Sequence, residues 1–330
     1  MRREMEIYGT IGPSCANTEI LKQMFEAGMT GIRLNLSHTT LQESADKLRM
    51  IWTAAEAAGK KAELLIDLQG PELRIGRLDH LLSLKEGQQI LLGKGGIPVP
   101  DTVLSVIQKG DELLLDDGKI LLRADGETSA YVVRGGLLES RKSIAIVGRS
   151  VNAPTMTQQD RENIMRAANA GVSAVMQPFV RSREDLIEVR QTLDACGGRD
   201  IRLFAKIENL AGVSNLTDFF GYADEIVIAR GDLGNAVPLW KLPAVQKEIA
   251  AKCRAAGVPF MVVTQMLASM EQHPVPTRAE VSDIFNAVLD GAGSVMVTAE
   301  TAVGAYPVEA VRVLASTVHA AIEYLEGQKR

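Results

Sequence analysis

Ile201-Arg202-Leu203-Phe204-Ala205 is a short, mostly apolar run that leads directly into Lys206-Ile207-Glu208-Asn209. A second run, Ile226-Val227-Ile228, leads in the same way into Ala229-Arg230-Gly231-Asp232-Leu233-Gly234. Runs of this kind, separated by helical patterns, predict parallel strands in βα units. Such folds carry their chemistry at the carboxyl ends of the strands, so the polar side chains after both runs are expected to share one mouth.

One lysine and two carboxylates would then converge at that mouth: Lys206, Glu208 and Asp232. Carboxylate oxygens suit a hard cation, and the set favours Mg²⁺ that keeps several waters for a phosphorylated ligand. The lysine would supply a point charge for a phosphate or an enolate. Two simpler interpretations stay open. Lys206 and Glu208 can form a solvated ion pair, and Asp232 can cap the next helix.

A second polar pattern lies in Gly31-Ile32-Arg33-Leu34-Asn35-Leu36-Ser37. Arg33, Asn35 and Ser37 alternate with apolar residues, so they share one face of an extended chain. An arginine beside neutral oxygen atoms suits an anion and a monovalent cation. The same spacing also fits the solvated face of a strand.

The composition limits the classes of function. The chain has 330 residues, of which 46% are hydrophobic and 23% charged, which is typical of a globular protein with a large core. The net charge of -5 does not indicate a nucleic-acid-binding protein. No signal peptide is evident, and no run of about 18 apolar residues predicts a membrane span. The wide spacing of Cys15, Cys196 and Cys253 favours reduced thiols in a cytoplasmic protein.

The order of predicted elements indicates an α/β fold. Eight apolar runs that end near residues 10, 35, 67, 176, 206, 229, 264 and 298 alternate with helical patterns, which predicts a (β/α)8 TIM barrel. Between about residues 75 and 152, short β-like runs and glycine-rich turns replace this rhythm. We expect a barrel domain formed by residues 1–72 and 153–330, with a small all-β domain, residues 73–152, inserted into it.

Several motifs together resemble the signatures of one family, and they occur in that family's order. They are Thr10-Ile11-Gly12-Pro13-Ser14, Arg33-Leu34-Asn35-Leu36-Ser37-His38, Asp67-Leu68-Gln69-Gly70-Pro71-Glu72-Leu73-Arg74, Asp116-Asp117-Gly118, Lys206-Ile207-Glu208-Asn209, residues 229–234, Thr264-Gln265-Met266-Leu267, Pro276-Thr277-Arg278-Ala279-Glu280, Glu300-Thr301-Ala302 and Tyr306-Pro307. The family that they resemble is pyruvate kinase, and the resemblance runs from about residue 4 to residue 325.

The resemblance implies a barrel that carries the inserted β domain as a lid. The family's C-terminal domain would begin about where this chain ends, so the resemblance implies that this regulatory domain and its sugar-phosphate site are absent. The segment around Arg278 forms a contact across barrels in the family, which implies a homodimer.

The resemblance also implies roles for individual residues. Lys206 would stabilise the phosphoryl group in flight and the enolate left behind. Glu208 and Asp232 would hold Mg²⁺ or Mn²⁺. The backbone amides of Gly231 and Asp232 would receive the substrate carboxylate, because helix N-termini suit anions. Arg33 would contact the phosphate, and Thr264 would relay a proton to the enolate.

A second set of implied roles concerns potassium and the nucleotide. K⁺ would be caged by Asn35, Ser37, Asp67 and the carbonyl of Leu68, and Glu72 resembles the acidic residue of potassium-dependent members. Arg74, Lys142 and Asn35 would face the phosphates of ADP or ATP, and Asp117 would reach the site from the lid. The expected small molecules are therefore phosphoenolpyruvate, pyruvate, ADP and ATP, with no nucleic acid and no membrane as partners.

The chain departs from the family's pattern at several positions near the expected pocket. Gln69 replaces a lysine, Pro178 replaces a serine, and residues 143–148 differ from the usual Gly-Val-Asn-Leu-Pro-Gly; Thr39 and Ala299 replace glycines. Three hypotheses follow. The first is phosphoryl transfer from phosphoenolpyruvate to ADP. The second is a divergent enzyme that uses the same metal and lysine on phosphoenolpyruvate or another 2-oxo acid. The third is a binding protein without catalysis.

Overall fold

The computed structural model describes residues 5–37, 39–71, 73–116, 118–148, 151 and 154–328. Its strands are, in chain order, β1 (Glu6–Thr10), β2 (Gly31–Asn35), β3 (Glu63–Asp67), β4 (Leu82–Leu84), β5 (Gln89–Leu91), β6 (Glu112–Leu115), β7 (Ile120–Ala124), β8 (Ser129–Arg134), β9 (Gly136–Leu138), β10 (Ile144–Ile146), β11 (Ala174–Gln177), β12 (Arg202–Ile207), β13 (Glu225–Ala229), β14 (Phe260–Val263) and β15 (Ser294–Met296).

The helices are α1 (Thr18–Glu26), α2 (Ala45–Ala57), α3 (Asp101–Leu104), α4 (Gln158–Ala167), α5 (Arg183–Ala195), α6 (Leu210–Ser214), α7 (Arg230–Ala236), α8 (Leu242–Ala256), α9 (Arg278–Leu289), α10 (Ala299–Ala302) and α11 (Pro307–Gly327). Short 3₁₀ turns cover Leu216–Phe219, Leu239–Lys241 and Ala268–Glu271. Within the described ranges, none of these helices combines the length and apolar character needed to cross a bilayer.

Eight strands form a closed parallel barrel in the order β1-β15-β14-β13-β12-β11-β3-β2. The predicted (β/α)8 barrel is therefore confirmed. The strands alternate between two apolar clusters: Leu203 and Ala205 of β12 pack in the cluster shared with the helices, whereas Phe204 packs in a separate cluster with Val227 and Met261 of neighbouring strands. Because strand side chains alternate with a period of two, Lys206 continues the inward row of Phe204 at the carboxyl end of the barrel.

The segment between β3 and β11 forms two antiparallel sheets, in the orders β10-β6-β7-β8-β5 and β4-β9. They enclose an apolar core of their own that includes Leu113, Ile120 and Val132. The prediction of a small all-β segment here is confirmed in its antiparallel sheets, although α3 adds one short helical turn. We call the segment from Leu73 to Val151 the lid segment. The predicted domain boundaries fall beside residues 72, 152 and 153, which lie outside the described residues.

Candidate active site

Lys206 lies between two carboxylates at the carboxyl end of the barrel. Its Nζ is 2.8 Å from Oε1 of Glu208 and 3.4 Å from Oδ2 of Asp67. Burial alone would lower the pKa of Lys206, but the carboxylates of Asp67 and Glu208 outweigh burial and hold that pKa well above its usual range. These two carboxylates therefore favour the ammonium form of Lys206, which places a positive charge between them.

Arg33 completes this cluster from β2. Its Nη2 and Nε donate to Oδ2 of Asp67 over 2.6 Å and 2.9 Å, and its Nη1 donates to Thr10 Oγ1 over 3.4 Å. Asp67 is only 2% exposed and accepts from both Arg33 and Lys206. The positive charges of the two cations thus balance the negative charges of Asp67 and Glu208 inside the barrel mouth. A phosphate that approached Arg33 and Lys206 would exchange one set of charge contacts for another.

Glu208 is fixed by a backbone donor that sequence reasoning does not reveal. The amide of Phe179 donates to Oε2 of Glu208 over 2.8 Å, and Phe179 adopts a positive φ of 52°. Such a φ is uncommon for a bulky residue, so the loop after β11 is held in a strained turn that presents this amide. Any residue type except proline could have supplied the donor, and the sequence therefore carries no signal for it.

The second predicted metal ligand, Asp232, lies in the first turn of α7, next to Gly231. Asp232 and Glu208 line one cleft, so the fold brings the two carboxylates to a common surface. Within the described ranges, no group of three or more His, Cys, Asp or Glu side chains is placed to hold a metal. Two hard oxygen donors fit Mg²⁺ or Mn²⁺ only if water or substrate oxygens complete the coordination, which is the usual habit of Mg²⁺.

Thr264 follows β14 and occupies a strained conformation beside Gly231. Its φ is 78°, and that of Gln265 is 55°. A Cβ built on Gly231 would lie 3.1 Å from Cγ2 of Thr264, so these residues are in close contact. Arg230 secures the strained turn because its Nη2 donates to the carbonyl of Thr264 over 2.7 Å. A β-branched residue with a positive φ is rare and marks an over-determined position.

The predicted potassium ligands lie at, or just beyond, the carboxyl ends of the adjacent strands β2 and β3. The register of β2 and β3 pairs Asn35 with Asp67, and the amide of Ser37 donates to Oδ1 of Asn35 over 3.0 Å. The amide of Leu68 donates to the carbonyl of Met176. The side-chain oxygens of Asn35, Ser37 and Asp67 and the carbonyl oxygen of Leu68 are ligand types that suit a hard monovalent cation. Glu72, the remaining acidic residue of this prediction, lies outside the described residues.

Of the predicted nucleotide contacts, Arg74 and Lys142 lie in the lid segment, whereas Asn35 is the last residue of β2. Lys142 Nζ is 3.1 Å from Oδ1 of Asp116 and 3.2 Å from Oε2 of Glu139. Arg74 forms an isolated β-bridge with Ser143, and its Nη1 donates to the carbonyl of Arg141. Arg74 and Lys142 are therefore brought near each other across one pair of chain segments. Asp117 lies outside the described residues.

A cleft of about 170 Å³ separates the lid segment from the barrel. The charged residues on its barrel side are Arg181, Glu208 and Asp232, and its lid side is mainly apolar. The apolar lining comes from Leu73, Leu114, Ile144, Ala145, Ile146, Val147 and Val151. The lid approaches α7 closely, because a Cβ built on Gly118 would lie 2.7 Å from Oδ1 of Asn235.

Comparisons with known proteins agree with this architecture. The family described as pyruvate kinase, barrel domain, matches residues 2–311. Pyruvate kinase of Geobacillus stearothermophilus is 37% identical over 329 residues, and that of Sporosarcina psychrophila is 38% identical over 340 residues. These alignments cover 95% and 98% of this chain but only 56% and 58% of the relatives, so the chain spans little more than half their length. Pyruvate kinase of Aeropyrum pernix is 38% identical over 322 residues, which cover 96% of this chain and 70% of that protein. The chain therefore belongs to the pyruvate kinase family.

Proposed function

We propose that this protein transfers the phosphoryl group of phosphoenolpyruvate to ADP, with pyruvate and ATP as products. The observation that carries the proposal is the buried cluster in which Lys206 and Arg33 face Asp67 and Glu208 at the barrel mouth. Phosphoryl transfer needs mainly positioning and charge neutralisation, and this cluster concentrates both. Family membership supports the same reaction.

Each residue of the cluster has a task in this proposal. Arg33 binds the phosphate. Lys206 neutralises negative charge, first on the phosphoryl group during its transfer and then on the enolate oxygen that remains. The backbone amides of Gly231 and Asp232 receive the substrate carboxylate. The enolate carbon gains its proton by a relay through the hydroxyl of Thr264. Arg74, Lys142 and Asn35 hold the nucleotide phosphates, and Asp117 contributes from the lid.

Two cation sites belong to the proposal. Glu208 and Asp232 hold Mg²⁺ or Mn²⁺, and Asn35, Ser37, Asp67 and the carbonyl of Leu68 hold K⁺. A divalent metal, when bound, supplies charge that stabilises oxyanions. The protein's own residues orient the substrate and keep water out when the lid closes. Family members' contact around Arg278 further supports a homodimer, which light scattering would test.

The test is formation of pyruvate and ATP by the purified protein with phosphoenolpyruvate, ADP, Mg²⁺ and K⁺. Lys206→Met should lower kcat by about 10³-fold because a preorganised charge at the reacting oxygen is lost. Lys247→Met is the matched control, since Lys247 is a half-exposed lysine whose partner is Asp290 on the barrel exterior. Turnover in Lys206→Met equal to that in Lys247→Met would overturn the proposal.

A second function is favoured by one observation: the lid side of the cleft is apolar where residues 143–148 depart from the family's pattern. In this alternative the same site acts on phosphoenolpyruvate or another 2-oxo acid with a different co-substrate. A rise in melting temperature with phosphoenolpyruvate, without any ATP formation, would support this alternative through ligand linkage. A panel of 2-oxo acids would then identify the substrate by the same shift.

A further inference from the structure

The chain passes between the barrel and the lid segment twice, and both passages are tied to one buried carboxylate. The outward passage follows β3 and contains Gln69 and Gly70. The return passage leads to α4 and contains Thr155 and Thr157. Asp160, the third residue of α4, lies between the two passages and is 0% exposed.

Asp160 accepts hydrogen bonds from both passages. Oδ1 accepts from the amide of Gln69 over 2.8 Å, and Oδ2 accepts from the amide of Gly70 over 3.0 Å. Oδ2 also accepts from the amide and the hydroxyl of Thr157, over 2.9 Å and 2.8 Å. Among the described residues no cation pairs with Asp160, so these four donors alone compensate the buried charge. A carboxylate with that many donors is fixed in position.

The two passages are joined again on the lid side of Asp160. The amide of Ile75 donates to the carbonyl of Lys142, and the amide of Ile144 donates to the carbonyl of Leu73. The lid segment therefore leaves the barrel as a pair of linked chains rather than as two independent connections. At the barrel end of that pair, the hydrogen bonds to Asp160 link the two chains.

The outward passage is held against the barrel by a second contact. Gly70 has a φ of 60°, and a Cβ built on it would lie 2.3 Å from Cγ of Pro178. The loop that contains Pro178 also supplies the amide of Phe179 to Glu208. The base of the lid is thus in contact with the loop that positions a predicted metal ligand.

We propose that Asp160 is a positioning residue for the reaction: it clamps both passages and thereby sets where the lid side of the cleft meets the barrel side. In its kinetic part this inference rests on the proposed function. Its structural part does not, because the clamp can be measured without turnover.

The test compares Asp160→Asn with Thr157→Ala. In Asp160→Asn an NH₂ group must replace one carboxylate oxygen, so at least one backbone donor loses its acceptor. Thr157→Ala removes the hydroxyl that caps α4 and donates to Asp160, but it leaves the bonds from Gln69 and Gly70 in place. It is therefore a control for loss of the helix cap alone.

Hydrogen exchange gives the first readout. Asp160→Asn should speed amide exchange in residues 69–76 and 142–148 by at least about tenfold, because the opening of this local unit becomes easier. Thr157→Ala should leave both segments within about threefold of the parent protein. Equal exchange in the two variants would show that Asp160 only caps α4, and the inference would be wrong.

Kinetics and binding give the second readout. Asp160→Asn should lower kcat/KM for ADP by about tenfold, since a displaced lid weakens contacts to the second substrate. The dissociation constant for phosphoenolpyruvate, which Lys206 and Arg33 set, should stay within about twofold. If the binding of phosphoenolpyruvate weakens by the same factor as kcat/KM for ADP falls, the proposed clamp is wrong. If Asp160→Asn does not fold, Asp160→Glu, which keeps the charge but moves it by one methylene, replaces it.

The outcomes separate the two proposals. A parent protein that binds phosphoenolpyruvate but makes no ATP refutes the proposed function and leaves the exchange comparison intact. An active parent protein in which both variants exchange alike refutes the clamp and leaves the function intact.

Discussion

Glu208 has two partners that restrict it from opposite sides. Lys206 lies 2.8 Å from one carboxylate oxygen, and the Phe179 amide donates to the other. A metal ion at Glu208 must therefore compete with the ammonium of Lys206 for Oε1. In the proposed function, this competition would couple metal binding to the position of the lysine.

We predict that Glu208→Gln weakens Mn²⁺ binding by about 10²-fold or more, because one of two anionic ligands is lost. The amide oxygen of glutamine still accepts from Phe179, so the loop should keep its conformation. Calorimetric titration with Mn²⁺ measures the change. Glu184→Gln, at an exposed carboxylate paired with Arg183, is the control and should bind Mn²⁺ like the parent protein.

Gly70 is restricted by both its conformation and its neighbour. We predict that Gly70→Ala lowers the free energy of unfolding by more than about 2 kcal/mol, because a positive φ costs an alanine about 1–2 kcal/mol and the new Cβ also meets Pro178. Gly59→Ala is the matched control, since Gly59 has a φ of 65° and nothing lies within 4 Å of the place that its new methyl group would take. If urea unfolding shows the same loss of unfolding free energy in Gly70→Ala and Gly59→Ala, the contact with Pro178 does not destabilise the Gly70→Ala variant.

At the scale of elements, the end of β6 is joined to the β10 side of the lid by charge. Asp116 follows β6, is 7% exposed and contacts Lys119 and Lys142. Burial would raise the pKa of Asp116, but hydrogen bonds from Lys119 and Lys142 outweigh burial and hold that pKa below its usual 3.8. Because the folded state favours the charged carboxylate, this contribution is present above about pH 4 and is lost as the pH falls through the lowered pKa.

We therefore predict that Asp116→Asn destabilises the lid at pH 7 and that the difference from the parent protein disappears at low pH. Asparagine tolerates the positive φ of 49° at this position, so the substitution isolates the charge. Urea unfolding between about pH 3 and pH 7 measures the difference. Asp101→Asn, an exposed position in α3, should show no such trend. A destabilisation that is constant over this range would argue against the ion pairs.

At the scale of the whole molecule, the two ends of the barrel contain different clusters of charged residues. Arg202, the first residue of β12, contacts Glu6, Glu63 and Tyr8 at the amino end. Burial would lower the pKa of Arg202, but Tyr8 and Glu6 outweigh burial and hold that pKa above its usual range. Lys206 lies four residues further along the same strand, about 13 Å away. The amino end thus carries a partly buried cluster of ion pairs, whereas the carboxyl end carries the candidate site.

We predict that Arg202→Met lowers the free energy of unfolding by about 3 kcal/mol, because it leaves partly buried carboxylates without their cation. The dissociation constant for phosphoenolpyruvate should not change, since the carboxyl end is untouched. Denaturant unfolding and a binding titration measure the two quantities. A loss of binding that accompanies the loss of stability would mean that the two ends of the barrel are coupled.

The sequence by itself determined the barrel and the composition of its mouth. Apolar runs alternating with helical patterns led to eight parallel strands, and the position of Lys206 directly after one of these runs led to its place at the barrel's carboxyl end. Local physics decides the strands and helices, because their periodicities act over a few residues, and the alternation of these elements along the chain favours the barrel. The metal, potassium and nucleotide ligands stay predictions that rest on the family's motifs.

Only the tertiary structure decided how the mouth is held. The amide of Phe179 on Glu208, the ring of Pro178 on Gly70 and the clamp of Asp160 on both lid passages join residues that are remote in the chain: Gln69 and Asp160 are 91 positions apart. Their donors are mostly backbone amides, which every residue except proline possesses. A donor common to nearly all residues leaves no mark in a sequence, so these contacts arise only once the chain has folded.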